Sequence, residues 1–282
     1  MPFVTTKQML LDAQRGQYAI GAFNVENMEM VQAVVAAAEE LRAPVILQTT
    51  PSTVRYGGLA FYLANARAAA ERASVPVALH LDHGSSFELA MRALREGYTS
   101  VMIDGSHEAF EANIALTRRV AEVGAAAGVP VEAELGKVGG KEDDLADAGS
   151  AYTDPDEAAE FARRTGVDSL AMAIGTAHGV YKGEPKLDVE RLSQIRRVVD
   201  IPLVLHGASG VPDEAVRECV RRGVCKVNFA TELRIAFSNG VKKALADAPD
   251  TIDPKKYCGL GMQYVTALTK EKILVCGCNG KA

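Results

Sequence analysis

Asp82 and His83 stand side by side in the segment His80-Leu81-Asp82-His83-Gly84, and His107, His178 and His206 follow at long intervals. Neutral imidazole suits zinc, and a catalytic zinc takes three protein ligands while one position stays open for substrate. The chain has five histidines, more than such a site needs, so residue type alone does not select the ligands. For each of them a hydrogen-bonded wall position is the alternative. A carboxylate beside the metal, as Asp82 would be, can exchange a proton with substrate or serve only to hold a histidine in place. His107, in Asp104-Gly105-Ser106-His107, reads equally well as an orienting residue. Two later segments, His206-Gly207-Ala208-Ser209-Gly210 and Asn228-Phe229-Ala230-Thr231, carry small residues whose backbone N–H groups suit a phosphate. Between them and Asp82 lies 136–153, with Gly139-Gly140-Lys141-Glu142-Asp143-Asp144. That stretch reads as a mobile acidic loop able to bring a base over a site on closure.

The elements that must position these groups are visible as an alternation. Short apolar, β-branched runs occur at 19–23, 45–48, 77–81, 100–103, 131–134, 169–173, 203–205 and 225–227. Amphipathic stretches at 28–41, 88–95, 109–126, 157–164 and 214–221 lie between them. Pro44, Pro76, Pro130 and Pro202 each stand directly before a run, where a residue without an N–H costs the sheet no hydrogen bond. Eight βα units in a chain of 282 residues predict a (β/α)8 TIM barrel rather than an open doubly wound sheet. We expect one domain over 1–282, with 253–282 as a C-terminal helix and tail.

Barrel enzymes build their sites at the C-terminal ends of the strands. His80 and His83 end the third run, His107 follows the fourth, His178 the sixth, and His206 the seventh. The loops after the seventh and eighth runs are the usual phosphate position in this architecture. Strand parity puts His80 on Asp82's face but deeper, where a structural role is expected. Glu132 and Glu134 share an inward face, as do Lys226 and Asn228, so Lys226 is expected to pair with one of the glutamates.

Composition narrows the classes. A net charge of −5 without a basic block argues against a nucleic-acid partner. There is no run of about 18 apolar residues to cross a bilayer. Positions 1–11 lack the basic-then-apolar layout of a signal peptide, so a cytoplasmic location is expected. The five cysteines are not arranged as a disulfide framework. Cys219, Cys225 and Cys258 read as packing residues, and Cys276 and Cys278 lack a second pair to complete a zinc site.

The motifs His80-Leu81-Asp82-His83-Gly84, Val131-Glu132-Ala133-Glu134-Leu135-Gly136, Gly139-Gly140 with the acids after it, Gly175-Thr176-Ala177-His178-Gly179, His206-Gly207-Ala208-Ser209 and Lys226-Val227-Asn228 span nearly the whole chain. In that order they resemble the class II, metal-dependent fructose- and tagatose-bisphosphate aldolases. The resemblance implies that His83, His178 and His206 hold a catalytic Zn2+ and that Asp82 exchanges a proton with the C4 oxygen of a ketose bisphosphate. It implies that Glu142 moves the proton at the nucleophilic carbon. Gly179, Gly207, Ala208, Ser209, Asn228, Phe229, Ala230 and Thr231 would hold the dihydroxyacetone phosphate portion. Asp104 and Glu134 would take a second or displaced divalent metal, a monovalent cation such as Na+ or K+ would support the phosphate loops, and the protein would be a homodimer or homotetramer. The reaction implied is the glycolytic one, cleavage of fructose 1,6-bisphosphate to two triose phosphates. Gln48-Thr49-Thr50-Pro51 and 173–178 look nearer to the tagatose branch, and Asp82-His83-Gly84-Ser85-Ser86 nearer to the fructose branch, which we favour. Arg55 is a candidate for the second phosphate by position alone. Three rivals remain at this point: a Schiff-base aldolase using Lys226, a metal-dependent phosphosugar hydrolase, and a non-catalytic phosphosugar-binding barrel.

Overall fold

The computed structural model describes residues 3–142, 145–147, 151–181, 183 and 185–282, with 141, 142 and 145–147 described by their backbone alone. The apolar runs become strands that are buried on both faces, as parallel strands under a layer of helices must be. In chain order the strands are β1 (Ile20–Asn24), β2 (Val45–Thr49), β3 (Val77–Gly84), β4 (Ser100–Ile103), β5 (Val131–Leu135), β6 (Gly139–Glu142), β7 (Leu145–Asp147), β8 (Ser169–Met172), β9 (Ala177–His178), β10 (Leu203–Leu205) and β11 (Val224–Phe229). Eight of them close into a parallel barrel in the order β1-β11-β10-β8-β5-β4-β3-β2. Closure excludes the open-sheet alternative. The other three form a small sheet, β7-β6-β9, in the region expected to be only loop.

The helices are α1 (Thr6–Gly16), α2 (Met28–Leu41), α3 (Pro51–Gly57), α4 (Leu59–Ala70), α5 (Phe87–Glu96), α6 (Phe110–Ala127), α7 (Pro155–Thr165), α8 (Val189–Val198), α9 (Asp213–Arg221), α10 (Thr231–Asp247) and α11 (Pro254–Cys276). Their boundaries have local causes. The side chains of Asn27, Ser86, Asp154 and Asp253 each accept a backbone N–H in the first turn of α2, α5, α7 and α11. Gly97, Gly128 and Gly166 end α5, α6 and α7 in the left-handed conformation that glycine adopts without a Cβ clash. None of the described helices is long and apolar enough to cross a membrane.

Alternate strand residues face the helices. Phe23 and Phe229, both fully buried, stack with ring centroids 5.6 Å apart behind β1 and β11; burial of such a ring stabilises by roughly 1.5–3 kcal/mol. The inward faces carry polar groups in place of the usual aliphatic layers: Asn24, Gln48, His80, Asp82, Ser100, Glu132, Glu134, Lys226 and Asn228 are all buried. The N-terminal segment closes the lower end, where Val4 N donates to Val77 O and Thr6 Oγ1 donates to Ser100 Oγ at 3.0 Å.

Candidate active site

Asp82 and His83 are consecutive, so a regular strand would aim them at opposite faces. The backbone departs from regularity here: the β3–β4 register shifts between Leu81 and Gly84, and His83 has φ +48. A bulge of this kind re-aims a side chain. It turns His83 inward beside Asp82, and its Nε2 lies 4.0 Å from Asp82 Oδ1. His206, at the end of β10, and His178, on β9, meet it there, with ligand nitrogens all within 4.8 Å of one another.

β9 is fixed by glycines. Gly140 pairs with His178, and a Cβ on Gly140 would come within 2.2 Å of the His178 carbonyl oxygen. On the other side a Cβ on Gly207, φ +64, would lie 2.7 Å from Ala177 O. Tyr181 bridges the two loops, accepting from Ala177 N at 2.7 Å and donating to Gly207 O at 2.8 Å. No feature of its sequence surroundings marks that role.

The outer ring nitrogens of His83 and His206 are held by carboxylates. His83 Nδ1 is 2.8 Å from Asp104 Oδ2, and His206 Nε2 is 2.9 Å from Glu132 Oε1. Each carboxylate accepts an N–H, which assigns the tautomers and turns the lone pairs of His83 Nε2 and His206 Nδ1 toward each other, 2.9 Å apart. Two lone pairs at that distance repel unless a proton or a cation lies between them. Neutral imidazoles with carboxylates behind them are the donor set that suits zinc, so the residues present fit such an ion. A second group overlaps the first: His83, Asp104 and Glu134 offer ligand atoms within 4.8 Å of one another. Glu134 Oε2 is 3.4 Å from His206 Nδ1.

Asp82 sits in a cradle of amides. Asn24 Nδ2 donates to Oδ2 at 2.9 Å, Gln48 Nε2 to the same oxygen at 3.2 Å, and Asn228 Nδ2 to Oδ1 at 3.1 Å. Burial alone would raise its pKa, but His83, His206 and Lys226 outweigh burial and hold the carboxyl at about 2. Asp104 and Glu132 are likewise held below the usual carboxylate range despite burial, Asp104 by His83 and Ser106, and Glu132 chiefly by Lys226 and His80. Sequence reasoning did not single out Asn24, and it named Gln48 only within a branch-like segment, not as a partner of Asp82. Their signal was available, since Asn24 ends β1 and Gln48 is the last residue but one of β2, at the rim that carries the other candidates.

Asn24, Asp82, His83, His178, Gly179, Gly207, Ser209, Asn228, Ala230 and Thr231 line one small cavity of about 20 Å³. The N-terminus of α10 opens into it, and Ser209 Oγ accepts from Ala230 N at 3.1 Å, tying the two small-residue loops together. Ala208 is buried beside the cavity without lining it, and the Phe229 ring points away toward Phe23. The five histidines therefore do not share the rim. His80 lies in a buried layer below, His107 is exposed, and neither lines the cavity. Arg55 is exposed on α3 and is also absent from the lining. The Glu142 side chain and residues Asp143 and Asp144 lie outside the described residues. Lys226 pairs with Glu132 through both carboxylate oxygens, at 3.1 and 3.0 Å. Lys226 is fully buried, held by Glu132 and absent from the cavity lining, a placement away from substrate that counts against the Schiff-base rival.

Burial pushes His80 down to about 3, with Lys226 adding to the effect, and lowers His206 as well. His80 is therefore neutral when folded and His206 is biased the same way, whereas in the unfolded chain both take up protons below about pH 6.5. Their stabilisation is present above that pH and is lost as the pH falls, at up to about 1.4 kcal/mol per pH unit for each. His178 is shifted well down in the same direction, mainly by burial, and acts in the same sense. The depressed carboxylates act only below about pH 4, which leaves the window above it to the histidines. Metal-free protein should lose urea resistance between about pH 7.5 and 5.5; an unchanged midpoint would contradict this account.

Comparison with known proteins agrees with the barrel. The family model described as class-II fructose-bisphosphate aldolase matches residues 4–281. A fructose-bisphosphate aldolase of Geobacillus stearothermophilus is 47% identical over 285 residues, covering 100% of this chain and 99% of that protein. Among solved structures, the YdjI aldolase of Escherichia coli K12 superposes with a TM-score of 0.88 at 37% identity, over 99% of each chain. A putative fructose-1,6-bisphosphate aldolase of Coccidioides immitis gives 0.88 at 33% identity, over 97% of this chain and 96% of that one.

Proposed function

The chain belongs to the class II fructose-bisphosphate aldolase family, and from that premise we propose that this aldolase reversibly cleaves fructose 1,6-bisphosphate to dihydroxyacetone phosphate and glyceraldehyde 3-phosphate, with zinc held by His83, His178 and His206. The observation that carries the reading is the convergence of three imidazole nitrogens beside a carboxylate cradled by three amides. Zinc bound there supplies Lewis-acid polarisation of the substrate ketone.

The chain's own residues do the rest. Asn24, Gln48 and Asn228 aim Asp82, which its charged neighbours keep ionised, so that it accepts the C4 hydroxyl proton as the C3–C4 bond breaks and returns it in condensation. Gly179, Gly207, Ser209, Asn228, Ala230 and Thr231 hold the phosphate of the dihydroxyacetone portion, with the N-terminus of α10 favouring the anion; Ala208 and Phe229 contribute backbone only. Glu142 moves the proton at the nucleophilic carbon, a role supported by the pairing of its strand with that of His178. Asp104 and Glu134, with His83, take a displaced or second divalent ion. A monovalent cation at the phosphate loops, a homodimeric or homotetrameric assembly and a cytoplasmic location belong to the same reading.

Fructose and tagatose bisphosphates differ in configuration at C4, the oxygen assigned to Asp82. Zinc-loaded enzyme is expected to favour the fructose substrate in kcat/KM by at least about tenfold, or about 1.4 kcal/mol. Equal or reversed values would move the assignment to tagatose 1,6-bisphosphate. A chelator should abolish turnover and zinc restore it, and release of inorganic phosphate without triose products would favour the hydrolase instead.

A further inference from the structure

Below the three-histidine centre lies a charged layer whose side chains do not line the cavity. Lys226, Glu132 and His80 are 0%, 2% and 0% exposed. Lys226 Nζ lies 3.0 Å from Glu132 Oε2 and 3.1 Å from Oε1, and Oε1 is also 2.9 Å from His206 Nε2. On the other side, His80 Nδ1 is 2.8 Å from Ser100 Oγ, while its Nε2 makes no hydrogen bond and stands 3.8 Å from Glu132 Oε2. Glu132 therefore has two imidazoles within reach and is bonded to one. A buried ion pair is often no more stable than apolar residues of the same volume, so stability alone does not account for these charges.

The geometry points to Glu132 and Lys226 as positioning residues for His206. Glu132 accepts the Nε2–H and so leaves Nδ1 as the nitrogen facing His83. Lys226 grips both carboxylate oxygens and keeps the group turned toward His206 instead of His80. The inference rests on reading His206 as a metal ligand, and outer partners of this kind fix ring tautomer and orientation.

The test uses a charge-balanced double variant, Glu132→Gln with Lys226→Met, beside Lys226→Met alone. The single variant leaves a buried carboxylate without its cation, and metal-free protein should melt lower. The double variant should regain metal-free melting temperature yet bind zinc about 10–100-fold more weakly in chelator competition, because a glutamine side chain can turn either end toward His206. Wild-type zinc affinity in the double variant would overturn the inference. NMR of metal-free wild-type protein with 15N-labelled histidine decides it independently of variant folding: a proton on His206 Nε2 supports the inference, and its absence refutes it. Failure of the wild-type protein to bind zinc would sink the proposed function, while the NMR result would still judge the tautomer.

Discussion

Asp82→Asn is expected to lower kcat for the cleavage of fructose 1,6-bisphosphate by about 10²–10⁴-fold, the span that a positioned proton-transfer group supplies, while zinc content stays at the wild-type level. The two readouts separate because Asp82 is no closer than 4.0 Å to the His83 nitrogen that faces the centre, and the carboxylates behind the ligands are Asp104 and Glu132. The substitution is not silent for folding. Both carboxylate oxygens accept amide N–H groups, so either orientation of an asparagine sets its NH2 against at least one donor from Asn24, Gln48 or Asn228. One such conflict costs roughly 1–3 kcal/mol, which should read as a lower melting temperature without loss of the metal. Near-wild-type turnover in the zinc-loaded variant would remove Asp82 from the chemistry, and loss of zinc would make it a structural partner of the ligands.

The cradle also explains which parts of the site could be anticipated. The barrel is legible because parallel strands buried on both faces appear as unbroken apolar runs, each set off by a proline or a loop. Strand parity places Asp82, Glu132, Glu134, Lys226 and Asn228 inside, and they are inside. The same parity aims His83 outward, and only the left-handed residue at the β3 bulge reverses it. No periodicity announces that reversal, so selecting His83 over His80 depended on resemblance. The β6–β7–β9 sheet was missed for a different reason: Gly139-Gly140 and the following charged residues have low strand propensity. They form strands because Gly140 permits a close backbone approach to His178. Tyr181 and the chain from Thr6 through Ser100 to His80 join segments far apart in sequence, and such pairings leave no local mark.

His178→Ala should weaken zinc binding by more than about 100-fold, beyond the upper end of what loss of an outer partner costs, and should abolish cleavage at ordinary metal concentrations. His83 and His206 would remain anchored to Asp104 and Glu132, leaving two nitrogens where a catalytic zinc takes three protein ligands. His178 is the ligand whose loss disturbs the barrel least, because it comes from the short β9 outside the closed sheet and is only half-buried. Metal-free His178→Ala should therefore fold with a melting temperature close to that of the metal-free wild type, and the stabilisation by added zinc should be what disappears at zinc concentrations below the weakened Kd, since a ligand stabilises by RT ln(1 + [L]/Kd). His107→Ala provides the control: His107 is exposed and outside the cavity, so zinc affinity and turnover should stay at wild-type levels. Zinc-induced stabilisation that survives in His178→Ala but vanishes in His107→Ala would reverse the ligand assignment and move the metal toward β4.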